Sequence, residues 1–386
     1  MIRIGCPSFG TDAGRSGIGS YLRELLFQFD KDQWKDQFTI ELVGPAQDRD
    51  CYLEETVNIS WYQVEGADAS PMQNFFWNQM SLPGLCRKRG YDLLFLPAAN
   101  RRLTGRAPCP TVGTVHDLAA LHIKEKYDFS HQVFNRKMLP KLIRGLDQII
   151  TVSSFSKNDI LRFSQVEDER VTVVHLAADK SRFFPADNRE DAGKRIRKAY
   201  GLTKPFILYI SRLEHPGKNH VNLIHAFTRF REASGSQMQL VLPGPDKERS
   251  EEIHRVASES LVSHDIIFPG FIAHEDVPDF YRSAELFIMP SYFEGFGLPV
   301  LEAMACGTPV ITSTAASLPE VSGPHTPHVD PDDIEGMKDA MVKVLNNSAV
   351  QNELSEKGIK WAAEFSWERT AQATAEVFMK ALGDRR

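Results

Sequence analysis

The sequence predicts an α/β protein made of two doubly wound domains, each with a parallel sheet. Two observations carry this prediction. Short, continuous apolar runs alternate with amphipathic helical segments along the chain, a pattern typical of a parallel sheet covered by helices on both faces. The chain has 386 residues, and at roughly 100–200 residues per domain this length predicts two domains.

In the first half, six short apolar runs are predicted as strands, at 2–6, 38–43, 93–96, 111–116, 148–153 and 171–175. Amphipathic segments between several of them are predicted as helices, near 18–29, 72–89, 131–145 and 154–164. Because the strands are short and continuously apolar, we expect each of them to be buried on both faces.

The second half repeats this scheme. Its predicted strands lie at 206–211, 238–243, 265–269, 286–290 and 309–313. Its predicted helices lie near 219–233, 248–261, 276–283, 299–306, 332–346 and 350–364. The charged segment 181–204 has no strand pattern and is predicted as the linker between a first domain, 1–180, and a second, 205–365.

Ligands of open parallel sheets bind beyond the carboxyl ends of the strands. Two such sheets joined by one linker are expected to face each other across a cleft. The residues that act on a ligand are therefore expected in the loops that follow strands.

Composition excludes several classes of protein. The formal net charge of −6 and the pI near 6.1 argue against a general nucleic-acid binder, which needs a basic surface. No apolar run approaches the roughly 20 residues that span a bilayer, and the first residues lack the apolar stretch of a secretory signal. The five cysteines are scattered without a CxxC pair, so we expect a cytoplasmic protein without a zinc site.

The sharpest motif spans 294–302 and follows a predicted strand. Gly295 and Gly297 allow a tight turn that lets the backbone approach a ligand closely. Pro299 suits the first turn of a helix, where its missing N–H costs nothing. Amides around Gly297 and Leu298 would then point at an anion, with the helix dipole behind them.

The same motif carries a carboxylate on each side of this turn. Glu294 lies in the loop before the predicted helix, and Glu302 lies about one turn inside it. Two carboxylates flanking an anion site suit a ligand with hydroxyl groups on either side of a phosphate, as in a sugar nucleotide. By spacing alone, a structural Gly-Pro turn with two solvated acids is an equal alternative.

The second motif, 211–219, directly follows the strand predicted at 206–211. Arg212 and Lys218 lie in an exposed loop that opens the next helix. Two cations at a helix N-terminus suit a diphosphate, since arginine binds as a two-pronged fork and lysine as a point charge. A P-loop is not supported because GxxxxGK[ST] is absent. A solvated loop with incidental charge is the alternative.

Two weaker signals lie in the first half. The glycine-rich segment that contains Gly17 and Gly19 separates the first strand from the first helix, where backbone can approach a phosphate or a sugar. His116 and Asp117 end a predicted strand and have the chemistry to hydrogen-bond a sugar or an acceptor hydroxyl. A structural histidine is the alternative for His116, and a general-base role is chemically open.

Aromatic and basic residues lie together in the segment 75–89. Such a combination suits a membrane-surface patch, but a core helix with a solvated basic end is favoured. Other basic groups, among them Arg101, Arg102 and Arg106, leave binding at a surface open.

Taken together and in this order, these features resemble the family 4 glycosyltransferases, a group of retaining enzymes with the GT-B fold. The most specific element is the acid–seven residues–acid motif from Glu294 to Glu302. Arg212 and Lys218 support it, as do the segments 269–271, 303–310 and 151–157. One departure is Ser211, where many relatives have glycine, and it barely weakens the phosphate role.

The resemblance implies specific roles in the second domain. Arg212 and Lys218 bind the donor diphosphate and stabilise it as it leaves. Glu302 binds the ribose hydroxyls, Glu294 contacts the transferred sugar, and the region of Phe271 borders the base. The implied donor-binding set also includes the turn residues Gly295, Phe296, Gly297 and Leu298.

The resemblance also implies roles in the first domain. His116 faces the sugar, and Gly17 and Gly19 approach the donor phosphate or the acceptor. The helix at 366–386 is implied to cross back onto the first domain, as in this fold. No metal and no cofactor are implied, because the nucleoside-diphosphate sugar is itself a substrate.

The implied activity is retaining, metal-independent transfer of a hexose from a nucleoside-diphosphate sugar to a glycan or lipid-linked acceptor in surface polysaccharide synthesis. GDP-mannose is the first candidate for the donor. A location at the inner face of the membrane is compatible with this activity. A sugar-nucleotide epimerase or hydrolase of the same fold, or a non-catalytic nucleotide-sugar sensor, are the alternatives.

Overall fold

In the computed structural model of the chain, the described residues are 1–14, 16–53, 56–65, 71–105, 107–122 and 134–384. Two compact units divide the chain, one made of Met1–Leu176 with Ser366–Arg386 and the other of Ala177–Phe365. Arg106 and the first residues of the helix predicted near 131–145 lie outside the described residues.

The first unit contains a seven-stranded parallel sheet of order β3-β2-β1-β4-β5-β6-β7. Its strands are Ile2–Pro7 (β1), Phe38–Gly44 (β2), Ser60–Gln63 (β3), Leu93–Leu96 (β4), Thr111–Thr114 (β5), Gln148–Thr151 (β6) and Val171–Val173 (β7). The four residues of β4 are all buried, as are those of β5 and β6, because helices cover both faces of the sheet.

The second unit contains a six-stranded parallel sheet of order β10-β9-β8-β11-β12-β13. Its strands are Phe206–Leu208 (β8), Gln239–Val241 (β9), Ile266–Ile267 (β10), Leu286–Met289 (β11), Val310–Ser313 (β12) and His328–Val329 (β13). Two parallel sheets on separate units confirm the predicted α/β fold class.

Helices connect the strands of both sheets. In chain order they are Gly17–Phe29 (α1), Ala46–Leu53 (α2), Pro71–Phe76 (α3), Leu82–Arg89 (α4), Ala119–His122 (α5), Leu139–Arg144 (α6), Ser154–Ser164 (α7), Arg189–Tyr200 (α8), His220–Ser234 (α9), Ser250–Glu259 (α10), Val277–Ser283 (α11), Leu298–Ala305 (α12), Leu318–Ser322 (α13), Ile334–Leu345 (α14), Ser348–Ala363 (α15) and Trp367–Gly383 (α16). Among the described residues, none of these helices is both long enough and apolar enough to cross a membrane.

The last helix, α16, belongs to the first unit although it lies at the end of the chain. Ser366 caps its N-terminus by accepting a hydrogen bond from the Arg369 amide, at 3.2 Å. The ring of the fully buried Phe378 lies 5.8 Å from that of Phe29 and 5.0 Å from that of Phe95. These aromatic contacts fix α16 against the first sheet and α1.

Several features differ from the predicted elements, and the helices Ala46–Leu53, Ala119–His122 and Leu318–Ser322 were not predicted. The strands β3 and β13 were not predicted, because edge strands lack a continuous apolar run. The segment 72–89 is divided into α3 and α4 by a π-helical turn, Trp77–Ser81, and Pro83 offers no N–H to continue regular pairing there. The predicted linker, 181–204, contains α8, which lies in the second unit.

Candidate active site

The candidate site of the second unit lies where two neighbouring strands of its sheet end. The loop after β8 carries Arg212 and Lys218, and the loop after β11 carries Glu294. Since β8 and β11 are adjacent and parallel, both loops emerge at the same sheet edge. The Tyr292 amide donates to the Gly217 carbonyl at 3.0 Å and ties the two loops together.

Lys218 and Glu294 form a close ion pair at this edge. The Lys218 ammonium donates to both carboxylate oxygens of Glu294, at 2.7 and 2.9 Å. Only 14% of the Lys218 side chain and 13% of the Glu294 side chain are exposed. The prediction that Lys218 lies in an exposed loop is therefore wrong, because contact with the neighbouring loop covers its side chain.

Arg212 lies closer to solvent than Lys218. Its Nη2 is 3.3 Å from Oε2 of the buried Glu214, and 46% of its side chain is exposed. The strand-like backbone before it runs tightly against Gly244, where a Cβ would lie 1.8 Å from the Ser211 carbonyl oxygen. Glycine is therefore required at position 244. This position packs against Ser211, the serine that departs from the family pattern.

The turn before α12 has the geometry of an anion site. Gly297 adopts a φ of 101°, which residues other than glycine rarely adopt, and Pro299 lies in the first helical turn. Within the described part of the chain, the amides of Gly297 and Leu298 have no protein acceptor. These free N–H groups and the helix dipole together favour a negatively charged ligand.

Ser317 holds this turn in place. Its hydroxyl lies 2.9 Å from the Glu294 carbonyl and 3.0 Å from the Phe296 carbonyl, and the residue is fully buried. A Cβ on Gly297 would lie 2.9 Å from Leu318 Cδ2. The turn is therefore packed closely against the start of α13.

Glu302 lies one turn inside α12 and is hydrogen-bonded to a buried tyrosine. The Tyr281 hydroxyl donates to Glu302 Oε2 at 3.0 Å. Burial raises the pKa of Glu302 to about 7, against the opposing effects of Tyr281 and of the Arg182 charge. A carboxyl group with this pKa changes its charge near neutral pH.

Phe271 presents an aromatic surface beside these loops. It lies in the loop after β10, and 73% of it is exposed. The Gly244 amide donates to the Gly270 carbonyl at 2.9 Å, so the Phe271 loop is bonded to the segment that packs against Ser211. An exposed ring at this edge has a face free for stacking.

Tyr209 is a site residue that the sequence analysis missed. Its hydroxyl donates to the Lys218 carbonyl at 3.0 Å and lies 2.7 Å from the Ser291 hydroxyl. The side chain is fully buried and joins the loop after β8 to the loop after β11 from beneath. The local sequence does not mark Tyr209 or Ser317 as site residues. Each of them hydrogen-bonds to residues that are distant in the chain or that belong to another element.

His116 lies in the first unit, just after β5. Its Nε2 is 2.9 Å from the Pro97 carbonyl oxygen, which can only accept, so Nε2 carries the proton. Burial lowers the pKa of His116 to about 4, and the imidazole is neutral at pH 7. Its ring centroid lies 4.9 Å from that of Tyr21, which meets it edge-on.

Gly17 and Gly19 open α1 in the same unit. A Cβ on Gly19 would lie 2.5 Å from Gly14 Cα and 2.6 Å from the Thr11 carbonyl oxygen. Glycine at 19 is thus explained by packing of α1 on its own preceding loop. Among the described residues, no atom beyond the chain neighbours and the backbone of α1 itself lies within 4 Å of a Cβ built on Gly17. The roles of both glycines toward a ligand stay predictions.

The predicted site residues therefore fall into two sets. The second unit brings Arg212, Lys218, Glu294 and the turn before α12 to one sheet edge, with Glu302 and Phe271 on adjoining elements. The first unit holds His116, Gly17 and Gly19.

Two family models match the chain. The model described as Glycosyltransferase Family 4 matches residues 15–182, and the model described as Glycosyl transferases group 1 matches residues 193–361. Each model matches about one of the two sheet-containing units, and together they cover most of the chain.

Several curated relatives of the chain are named mannosyltransferases, and others are named D-inositol 3-phosphate glycosyltransferases. It is 32% identical over 279 residues to the serotype-specific mannosyltransferase WbdA of Escherichia coli, a match that covers 71% of this chain and 34% of WbdA. The chain thus spans about a third of the length of this relative. It is 29% identical over 268 residues to the O-antigen chain mannosyltransferase B of Escherichia coli, covering 69% of each protein.

Solved structures share the fold. The crystal structure of Anabaena HepE in complex with UDP and glucose superposes with a TM-score of 0.75 at 17% sequence identity, covering 98% of this chain and 100% of that one. The two parallel sheets and this likeness establish the GT-B fold.

Proposed function

Because this chain belongs to the group 1, family 4 glycosyltransferases, we propose that it transfers a hexose from a nucleoside-diphosphate sugar to a glycan or lipid-linked acceptor. The product is part of a surface polysaccharide. The observation that carries this proposal is the pairing of Lys218 with Glu294 at 2.7 Å, beside Arg212 and the free amides that begin α12.

The donor diphosphate lies against the positive groups of this sheet edge. Arg212 and Lys218 supply two cations, and the amides of Gly297 and Leu298 supply donors at a helix N-terminus. Charge that develops on the diphosphate as the sugar leaves is stabilised by groups already in position, usually the largest catalytic term. These groups supply the positive charge that a metal ion supplies elsewhere, so the reaction requires none.

The Lys218–Glu294 pair connects binding of the departing diphosphate to contact with the transferred sugar. Without a ligand, the two charges compensate each other in a poorly solvated place. When the diphosphate arrives, Lys218 shares its three N–H donors between phosphate and Glu294. Glu294 is thereby held toward the transferred sugar. The bond between the sugar and the diphosphate breaks through an oxocarbenium-like state, and the acceptor hydroxyl attacks the same face while its proton passes to the departing diphosphate. This course retains configuration.

Other residues recognise parts of the donor that do not react. Glu302 accepts hydrogen bonds from the ribose hydroxyls, and the exposed Phe271 ring borders the base. Mannose from GDP-mannose is the first candidate. The names of the two Escherichia coli relatives as mannosyltransferases support the sugar, and the HepE complex with UDP and glucose supports a nucleotide-sugar donor in this fold.

The acceptor is assigned to the first unit, where His116 hydrogen-bonds a sugar or an acceptor hydroxyl. The imidazole is neutral at pH 7 and offers its Nδ1 as an acceptor, because Nε2–H is engaged by Pro97. A peripheral contact with the inner face of the membrane is part of this proposal. It is supported by Phe76 and Met80, which are 54% and 74% exposed and lie four residues apart, before the basic end of α4.

A panel of GDP-, UDP-, ADP- and dTDP-sugars tests the proposal by thermal shift, followed by transfer assays with the stabilising donor. We expect one sugar nucleotide to raise the Tm, and transfer to continue in EDTA. Turnover of the donor with no transfer to any acceptor would favour an epimerase or hydrolase. Binding without turnover would favour a sensor, and loss of transfer in EDTA that Mg²⁺ restores would contradict metal independence.

A further inference from the structure

Two arginines of the first unit lie at the carboxyl edge of its sheet, outside the set of site residues described above. Arg101 and Arg102 follow β4, and the loop they contact, 8–14, follows β1. The two strands are adjacent and parallel, so both loops emerge at the same sheet edge. This is the edge at which open parallel sheets bind ligands.

The charge of Arg101 is already compensated within the protein. Its Nη1 donates to the Gly10 carbonyl at 3.1 Å and to Asp12 Oδ2 at 2.6 Å. About a third of its side chain, 34%, remains exposed. Arg101 therefore fixes the loop after β1 and keeps part of its guanidinium available at the surface.

Arg102 differs because much of its guanidinium has no acceptor. Its Nη1 donates to the Arg101 carbonyl at 2.9 Å. Its Nε is buried and has no hydrogen-bond partner, and no acceptor for Nη2 is found among the described residues. A buried donor without a partner is costly, and burial together with the Arg101 charge lowers the pKa of Arg102.

The position of this side chain is imposed by the loop after β1. Gly10 has a φ of 86°, and a Cβ there would lie 2.9 Å from Arg102 Cγ. The loop itself is fixed by the Tyr52 hydroxyl, which donates to Thr11 Oγ1 at 2.6 Å. Arg102 is thus held against a fixed loop that covers its Nε, and its Nη2 is the donor without an acceptor among the described residues.

We propose that Arg102, with the exposed part of Arg101, binds a phosphate ester carried by the acceptor. A guanidinium presents planar, forked N–H donors that match the oxygens of one anion, and in Arg102 the Nη2 group is the one left for such a contact. A phosphate ester brings a third oxygen that can accept from the neighbouring Arg101, whereas a carboxylate has only two. The inference rests on the proposed function, since it identifies the acceptor as an anionic molecule.

The electrostatics of the first unit agree with this location. The charge of Arg101 acts on the imidazole of His116, the residue assigned to the sugar. His116 and the two arginines belong to the same unit. Two sources of the phosphate ester are considered, a water-soluble sugar phosphate and a lipid carrier phosphate.

The test titrates the full-length protein with glucose 1-phosphate and with farnesyl phosphate, with mannose as a ligand that has no phosphate. Calorimetry measures each Kd with the nucleotide site filled by whichever nucleoside diphosphate the panel identifies. The variants are Arg102→Gln and Arg102→Lys, which keeps the charge and loses the fork. Arg162→Gln, at an exposed position of α7, is the matched control.

We expect both phosphate esters to bind the wild type and the Arg162→Gln variant, and mannose not to bind. Arg102→Gln should weaken phosphate binding about ten-fold or more, and Arg102→Lys should weaken it by a similar factor while folding is retained. Tighter binding of glucose 1-phosphate would assign a soluble acceptor, and tighter binding of farnesyl phosphate a lipid carrier.

Unchanged phosphate binding in both Arg102 variants, or no phosphate binding by the wild type, would overturn the inference. If no nucleoside diphosphate binds, the proposed function fails by itself. The phosphate titration is then carried out without nucleotide and still decides whether Arg102 holds an anion.

Discussion

Replacing Lys218 by alanine tests whether the Lys218–Glu294 pair serves both folding and catalysis. In the wild type, each side chain of the pair is only 13–14% exposed, and two hydrogen bonds join them. The substitution leaves the Glu294 carboxylate largely buried without its cation. It also removes one of the two side-chain cations assigned to the departing diphosphate.

The two effects have different magnitudes. Leaving a mostly buried carboxylate without its partner is expected to lower the free energy of unfolding by about 2–3 kcal/mol. Losing one contact that stabilises the leaving group is expected to lower kcat by about 100-fold or more. The matched control is Lys194→Ala, which breaks a pair with Glu190 whose side chains are 61% and 71% exposed. It should cost no more than about 0.5 kcal/mol.

Urea unfolding and steady-state kinetics on Lys218→Ala, Glu294→Ala and the double variant complete a double-mutant cycle. We expect a coupling free energy between the two side chains of about 1–3 kcal/mol. A Lys218→Ala protein that unfolds within 0.5 kcal/mol of the wild type (roughly the scale of an exposed pair) and keeps near-normal turnover would refute both assignments.

Three further outcomes follow from the same sheet edge. Glu294→Gln should lower kcat more than it raises donor KM. Glu302→Gln should mainly raise donor KM, since the ribose contact is equal in the ground state and the transition state. If both variants weakened binding of the free nucleoside diphosphate equally, this division of roles would be contradicted. Because burial raises the pKa of Glu302 to about 7 from 4.5, its ionisation opposes folding, so the free energy of unfolding should fall as pH rises from 4.5 to 7 relative to Glu302→Gln. The nucleotide affinity of the wild type should rise over the upper part of that pH interval. If the wild type and Glu302→Gln gave parallel pH profiles, both in urea unfolding and in binding assays, this would argue against an ionising Glu302. Gly244→Ala should lower the free energy of unfolding by more than about 2 kcal/mol, because its Cβ would lie 1.8 Å from the Ser211 carbonyl oxygen; a melt within 2 °C of the wild type would count against this packing.

Local pattern was enough to predict the fold class and most elements of both sheets. The strand predicted at 93–96 has those bounds in the structure, and the helix predicted at 18–29 corresponds to α1, Gly17–Phe29. Such elements carry their signal in a few consecutive residues, as apolar runs or as residues spaced on one helix face. The same local signal placed the motif residues in the loops that follow strands.

Local patterns did not predict the edge strands or the helix in the segment between the two halves. Of the four residues of β3 none is fully buried, so hydrophobicity does not mark it. The helix α8 has a mostly charged sequence, and its position depends on contacts with the distant α11, including those of Arg195 with Asp276 and Asp279.

Only the tertiary structure decided how the site is held. Lys218 and Glu294 are 76 residues apart in the chain, and each motif by itself is equally compatible with a solvated loop. Tyr209 and Ser317 fix the two loops from buried positions, and Gly244 makes room for the Ser211 backbone. These contacts join elements that are distant in sequence, so they depend on the order of the strands in the sheet and on close packing between loops, which no local spacing of residues encodes.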